Sequence, residues 1–197
     1  GGRDGSAEAK ALASLLAAGV DFVLLPGGVG SLRESYRTDT LALLRALAGA
    51  CKHSVLSVCT GAQVLAAAGL LDGRRATTNK ILFDLMATYG PRVDWVPAAR
   101  WVVDGPFVTA SGVSAGIDMA LAVIEHAHGR ELALAAAEAA EYSWADDPAD
   151  DPFVGCIPRP TFARRILVCV VRLVLSIVYR IGFGLGFSMR GVSASVR

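Results

Sequence analysis

The run SVLSVCTGAQVLAAAGLLDG, residues 54–73, decides the fold. Its first five residues, Ser54 to Val58, form a short apolar stretch of strand length, and the residues after Gly61 are rich in Ala and Leu at helical spacing until Asp72-Gly73 stops them. A buried strand that turns sharply into a helix belongs to a parallel sheet with helices against its faces. Cys59 stands at the turn itself, followed by Thr60 and Gly61.

The flanking sequence repeats the pattern. Upstream, SAEAKALASLLAA (6–18) predicts a helix stopped at Gly19, and DFVLLPGGVG (21–30) predicts a strand buried on both faces that ends in a tight Pro26-Gly27-Gly28 loop. TDTLALLRALAGA (38–50) predicts a second helix, with Thr38 or Asp39 available as its cap. Downstream, VDWVPAARWVVDGPFVTASG (93–112) gives three short β-like runs, as in a small antiparallel excursion or hairpin. SAGIDMALAVIEHAHG (114–129) and RELALAAAEAAEYSW (130–144) predict two more helices, the first opening at Ser114. The fold class is α/β.

Composition narrows the partners. A formal net charge of +1 with scattered charges provides no basic field, so nucleic acid is not an expected partner. The four cysteines, Cys51, Cys59, Cys156 and Cys169, have neither paired nor framework spacing, which predicts reduced thiols and a cytoplasmic protein. GGRDGSAEAK at the start is small, polar and without Met, and predicts a cut N-terminus. No spacing among His53, His126, His128 and nearby carboxylates suggests a metal site, and no cofactor motif stands out.

The segment ILVCVVRLVLSIVYRIGFGLGF (166–187) is about one membrane thickness long as a helix. Its roughly fourteen large apolar residues, at about −0.3 to −0.6 kcal/mol each, nearly balance Arg172 and Arg180 at about +2.5 to +3.5 each. Membrane association through 166–187 is therefore the lesser expectation, and an amphipathic tail the other. The domain reading is an α/β domain over 1–154 followed by an apolar tail over 155–197.

A cysteine that ends a strand just before a helix has the geometry of a nucleophile elbow, where the turn lifts the side chain out of the sheet and the helix amides favour a thiolate. Cys59 is the candidate nucleophile and Thr60 its neighbour.

Together LLPGGVG, SVCTGAQVLAAAGLLDGRRATTN, ASGVSAGIDMAL and EYSWADDPADDPF resemble the ThiJ/PfpI superfamily, a relative of class I glutamine amidotransferases, and most of all its isocyanide hydratase-like branch. The resemblance runs from about residue 10 to residue 154. It implies a flavodoxin-like three-layer α/β/α sandwich with a mostly parallel sheet, here without its N-terminal strand, a homodimer, and reaction of Cys59 with a small electrophilic molecule. Gly27, Gly28 and Gly61 are then expected to bring backbone amides to an oxyanion-type site, and Gly112 and Val113, in GVSAGID, to border it.

Two departures bear on the chemistry. Many relatives have a His at the end of the ATT block, where this chain has Asn79, which orients a group but takes no proton near neutral pH. The acidic partner of the cysteine normally precedes the region covered here; Glu34, the nearest acid after the Gly loop, reads as a first-turn carboxylate. The second functional reading is accordingly a redox-sensing or stress-response relative that needs no acid–base partner, or an inactive, truncated homologue. A regulator with an appended DNA-binding segment is not expected, because no helix-turn-helix with a basic face follows residue 154.

Overall fold

The computed structural model describes residues 5–159 and 161–184. The chain divides into two compact units, residues 1–159 and 160–197.

In the first unit, α1 (Gly5–Ala18) is stopped by Gly19, whose φ of +76° is one that L side chains rarely adopt. Strand β1 (Val20–Leu25) follows, then a short α2 (Val29–Glu34), α3 (Thr38–Ala50) and β2 (Cys51–Val58). The parallel β1–β2 pair aligns Val23 with Val55 and Leu25 with Ser57. Next come α4 (Gly61–Ala67), β3 (Arg75–Ala76), α5 (Phe83–Ala87), β4 (Asp94–Trp95), β5 (Trp101–Asp104) and β6 (Phe107–Ala110). Helices α6 (Val113–His128) and α7 (Arg130–Ala139) complete the layers.

The main sheet has the order β1-β2-β6-β5, parallel except for the β5–β6 hairpin. Gly105 opens that hairpin's two-residue turn at φ +57°, and Pro106 keeps the second position at negative φ.

Alternation along the strands sorts side chains to two cores. On one face Val55 and Phe107 pack with Leu65, Ala66, Leu71, Ala76 and Val93. On the other, Leu56, Val108, Ala110 and Trp101 pack with Ala115 and Met119 of α6. Helices thus cover both faces, and the three-layer sandwich expected from the sequence is what forms. Full burial of Leu65 and Leu71, both 0% exposed, contributes about 1.5–3 kcal/mol each.

Several expectations are corrected. Strand β1 is not buried on both faces: Phe22 is 44% and Leu24 59% exposed, because β1 is an edge of the described sheet while α6 packs over β2, β5 and β6. The run from Val93 forms three short strands, with β5 and β6 as the expected antiparallel hairpin, but it is not set apart from the sheet: β4 pairs in parallel with β3, and β6 is an inner strand of the main sheet beside β2. Helix α7 ends at Ala139 rather than at Trp144, because Glu141 takes φ +52° and turns the chain back. Tyr142 then donates to the Ser114 carbonyl, and the Trp144 indole N–H to that of Asp118. The caps also differ, since α3 starts after Arg37 and α6 after Gly112, neither with a side-chain cap.

In the second unit, α8 spans Phe162–Gly184. Among the described residues no helix is long and apolar enough to cross a membrane. Residues 185–187 of the expected apolar segment lie outside the described residues.

Candidate active site

Strand β2 ends at Val58, and Cys59 then adopts φ +58°, the left-handed region; among the described residues only Glu141 is another non-glycine to do so. Such a conformation costs on the order of 1–3 kcal/mol and persists where the surroundings over-determine it. Three segments do so here. The Cys59 amide donates to the Ala110 carbonyl at 3.0 Å, and the Thr78 hydroxyl donates to the Cys59 carbonyl at 2.9 Å. The Gly27 backbone presses against the turn so closely that a Cβ there would lie 2.7 Å from Cys59 Cβ and 2.9 Å from the Thr60 nitrogen. Gly61 is equally constrained, since a Cβ on it would meet the Leu25 carbonyl oxygen at 2.4 Å.

Thr60, 4% exposed, ties the elbow to the Gly loop. The Gly28 amide donates to Thr60 Oγ1 at 2.9 Å, Thr60 Oγ1 lies 3.2 Å from the Gly28 carbonyl, and the Ser31 hydroxyl lies 2.8 Å from Thr60 Oγ1. The Gly28 amide, one of those expected to face a substrate oxyanion, is therefore engaged within the protein. The buried Gln63 extends the contact by donating to Ser35 Oγ at 2.6 Å.

Beside the elbow, Asn79, Lys80, Ile81, Ser111, Gly112, Val113, Ser114, Ile117, Phe153 and Cys156 line a cavity of about 440 Å³. Asn79, Gly112 and Val113, expected from the sequence, come together here; Cys59 is not among the lining residues. Asn79 Oδ1 accepts from the Leu82 amide at 3.1 Å and so orders the turn into α5.

Behind this cavity lies a buried cluster that sequence reasoning missed: Lys80, Arg100, Asp118 and Asp151, each no more than 4% exposed. The Lys80 ammonium donates to Thr77 Oγ1 at 2.9 Å and to the Ala99 carbonyl at 2.6 Å, and sits 3.5 Å from Asp151. Asp151 accepts from Ser111 Oγ at 2.6 Å and from the Phe153 amide at 3.0 Å. Arg100 donates through Nε to Asp118 at 2.7 Å and approaches Asp151 at 3.8 Å. Burial pushes the Lys80 pKa below its ordinary value despite Asp151. For Arg100, burial acts downward, but the hydrogen bond and charge of Asp118 hold its pKa above the ordinary value. Two positive and two negative groups balance, which makes the burial tolerable. A charged residue in a sequence gives no sign of being buried; Asp118 and Asp151 stand within the ASGVSAGIDMAL and EYSWADDPADDPF blocks, but nothing in those blocks marks either as buried.

A family model for the DJ-1/PfpI family matches residues 7–126, more than half of the chain. The chain belongs to the DJ-1/PfpI family. It is 42% identical over 117 residues to an isonitrile hydratase from Pseudomonas putida, covering 58% of this chain and 48% of that protein. It is also 38% identical over 107 residues to the HTH-type transcriptional regulator CdhR from Pseudomonas aeruginosa, over 53% of this chain and 32% of the regulator. The chain thus spans about half the length, or less, of these curated relatives. Among solved structures, a ThiJ/PfpI family protein from Pseudomonas syringae superposes with a TM-score of 0.60 at 28% identity, covering 82% of this chain and 66% of that one.

The remaining candidates lie apart from the elbow. Glu34 accepts from Thr40 Oγ1 at 2.6 Å and pairs with Arg37 at 3.7 Å. His53, His126 and His128 are exposed and line a different cavity, between the sheet and α6. All four cysteines are free thiols, Cys59 partly exposed. Among the described residues no cluster of metal-binding side chains occurs.

Proposed function

We propose that this DJ-1/PfpI family protein is a cysteine-dependent enzyme acting on a small electrophile, with Cys59 as nucleophile and hydration of an isocyanide as the reaction. The observation that carries the reading is the left-handed Cys59 at the end of β2, pinned through both its amide and its carbonyl. The 42% identity to an isonitrile hydratase supports the substrate class.

The chemistry then runs in three balanced steps. The Cys59 sulfur bonds to the terminal isocyanide carbon and a proton adds to that carbon, giving a thioimidate. Water adds across the carbon–nitrogen double bond, its oxygen to carbon and its proton to nitrogen. The carbon–sulfur bond breaks as the hydroxyl proton returns to sulfur, releasing the N-substituted formamide and the free thiol. Developing negative charge in these steps is met by the elbow amides of Thr60 and Gly61. Asn79 serves as an orienting group, and protons travel through water.

The substrate is a small molecule, the working form a homodimer and the compartment the cytoplasm. The test is formamide production from an alkyl isocyanide by the parent and by Cys59→Ser, with the thioimidate adduct on Cys59 sought by mass spectrometry. Turnover that survives Cys59→Ser refutes the reading.

A second reading is reversible oxidation of Cys59. It is favoured by one observation: Cys59 is a free, partly exposed thiol at the elbow. Peroxide treatment followed by sulfenic-acid trapping at Cys59, in a chain that does not consume isocyanide, would select it.

A further inference from the structure

The second compact unit differs in charge from the first. Residues 160–197 contain six arginines and no Asp, Glu or Lys, a formal charge of +6, whereas residues 1–159 carry −5. Along α8, Ile166, Leu167, Val170, Leu173, Val174 and Ile177 are each between 48 and 61% exposed. Their positions, i, i+1, i+4, i+7, i+8 and i+11, trace a single stripe along the helix. At about 100° per residue, Arg165 and Arg172 fall on the opposite side, with Arg164 and Ser176 at its margins.

We propose that α8 binds an anionic lipid surface, lying in its plane with the apolar stripe at the acyl boundary and the arginines among the headgroup phosphates. An apolar stripe on a helix whose charged residues are all arginine is the pattern of an interfacial helix. Crossing the bilayer would instead bury Arg172 near the middle of the helix, and among the described residues no helix is apolar enough to do so. A second copy of α8 is the wrong occupant, because it is equally acid-free and brings no negative charge to meet the arginines. Charge complementarity selects a surface dense in phosphate and carboxylate, and α8 supplies the attraction that the negative first unit does not.

The test is co-sedimentation of the full chain with vesicles of phosphatidylcholine alone and of phosphatidylcholine mixed with phosphatidylserine. Binding is expected to the mixed vesicles, to fall as salt rises, and to weaken about fivefold for each of Arg165→Gln and Arg172→Gln. Arg165→Lys retains binding, Leu167→Asp loses it, and carbonate washing releases the protein. Cys59→Ser binds like the parent, so the outcome is independent of the enzymatic reading. Equal binding to both vesicles, no binding, retention after carbonate, or self-association abolished by Leu167→Asp in a chain that ignores vesicles would each overturn the proposal.

Discussion

Adding one methyl group at Gly27 tests whether the elbow is held by the loop that follows β1. The new Cβ would lie 2.7 Å from Cys59 Cβ, 2.8 Å from the Val58 carbonyl oxygen and 2.9 Å from the Thr60 nitrogen, all closer than real Cβ contacts. Each of these atoms is backbone or fixed directly to it, so no side-chain rotation relieves the overlap. Gly27 has no positive φ that would penalise alanine for its conformation, so the cost comes from contact alone. Overpacking of this kind costs about 1–3 kcal/mol, against about 0.4–1 kcal/mol gained by restricting the unfolded chain. Gly27→Ala is therefore expected to destabilise by about 1–2 kcal/mol, through a movement of the β1 loop away from Cys59. Gly30→Ala is the control: a Cβ there meets nothing within 4 Å, and the residue lies inside α2, so stability should hold or rise. Urea unfolding reads the stability, and iodoacetamide labelling of Cys59 against Cys51, resolved by mass spectrometry, reads the elbow. Gly27→Ala with an unchanged midpoint and an unchanged labelling ratio would refute the argument that this glycine shapes the site.

Cys59 should label faster than Cys156 and Cys169 although both of those are exposed and it is only partly so; labelling in order of exposure would count against an activating elbow. Thr60→Val removes the acceptor of the Gly28 amide and should cost about 1–3 kcal/mol in urea unfolding, while Thr60→Ser should restore most of it. Asp151→Asn leaves the buried Lys80 charge without its counterion and is expected to cost about 3–5 kcal/mol; a loss below 1 kcal/mol would show that the pair is not closed in solution. Lys80 also predicts a pH dependence. Its folded pKa lies below the ordinary 10.5, so between that lowered value and 10.5 the unfolded chain binds the proton and the folded chain does not. Stability therefore rises with pH through that window relative to Lys80→Met, and is flat below it; a relative fall on raising the pH would contradict the burial.

The order of layers was legible because periodicity reports it directly. Ser54–Val58 lies in β2 and the Ala-Leu run after Gly61 begins as helix α4, although that helix ends at Ala67, ahead of Gly69 at φ +75°, rather than at the expected Asp72-Gly73; Gly19 and Gly129 break the chain where a helix must stop. What escaped the sequence depends on neighbours distant along the chain. Strand β3 is two residues long and exists only because Arg75 and Ala76 meet Asp94 and Trp95. The exposure of Phe22 and Leu24 follows from which strand ends the sheet, which local hydrophobicity does not encode. At the candidate site, Cys59 and Thr60 could be found from the strand–turn–helix junction, and Gly27 and Gly61 from the resemblance of their motifs to the family. The engagement of the Gly28 amide by Thr60 could not, nor could the burial of four charges from four separate segments.

That buried cluster is part of how the elbow is built. Thr78 pins the Cys59 carbonyl, and Thr78 sits between Thr77 and Lys80 on one short loop. The loop cannot drift: the Thr77 amide donates to Thr109 Oγ1 at 2.9 Å, and Lys80 is clamped by Thr77, Ala99 and Asp151. Asp151 in turn holds Ser111, the residue after Ala110, whose carbonyl accepts the Cys59 amide. Both hydrogen bonds that flank Cys59 therefore lead, within one or two residues, to the same aspartate. On the third side, Gly116 of α6 lets the helix approach until a Cβ would touch both Val58 methyls at 2.8 Å, which fixes the end of β2 from the opposite face. A residue in a strained conformation relaxes if any one restraint gives way. The balanced charges behind the cavity link two of the restraints, the Thr78 and Ala110 hydrogen bonds, into one, so those two give way together when the buried Lys80–Asp151 pair opens.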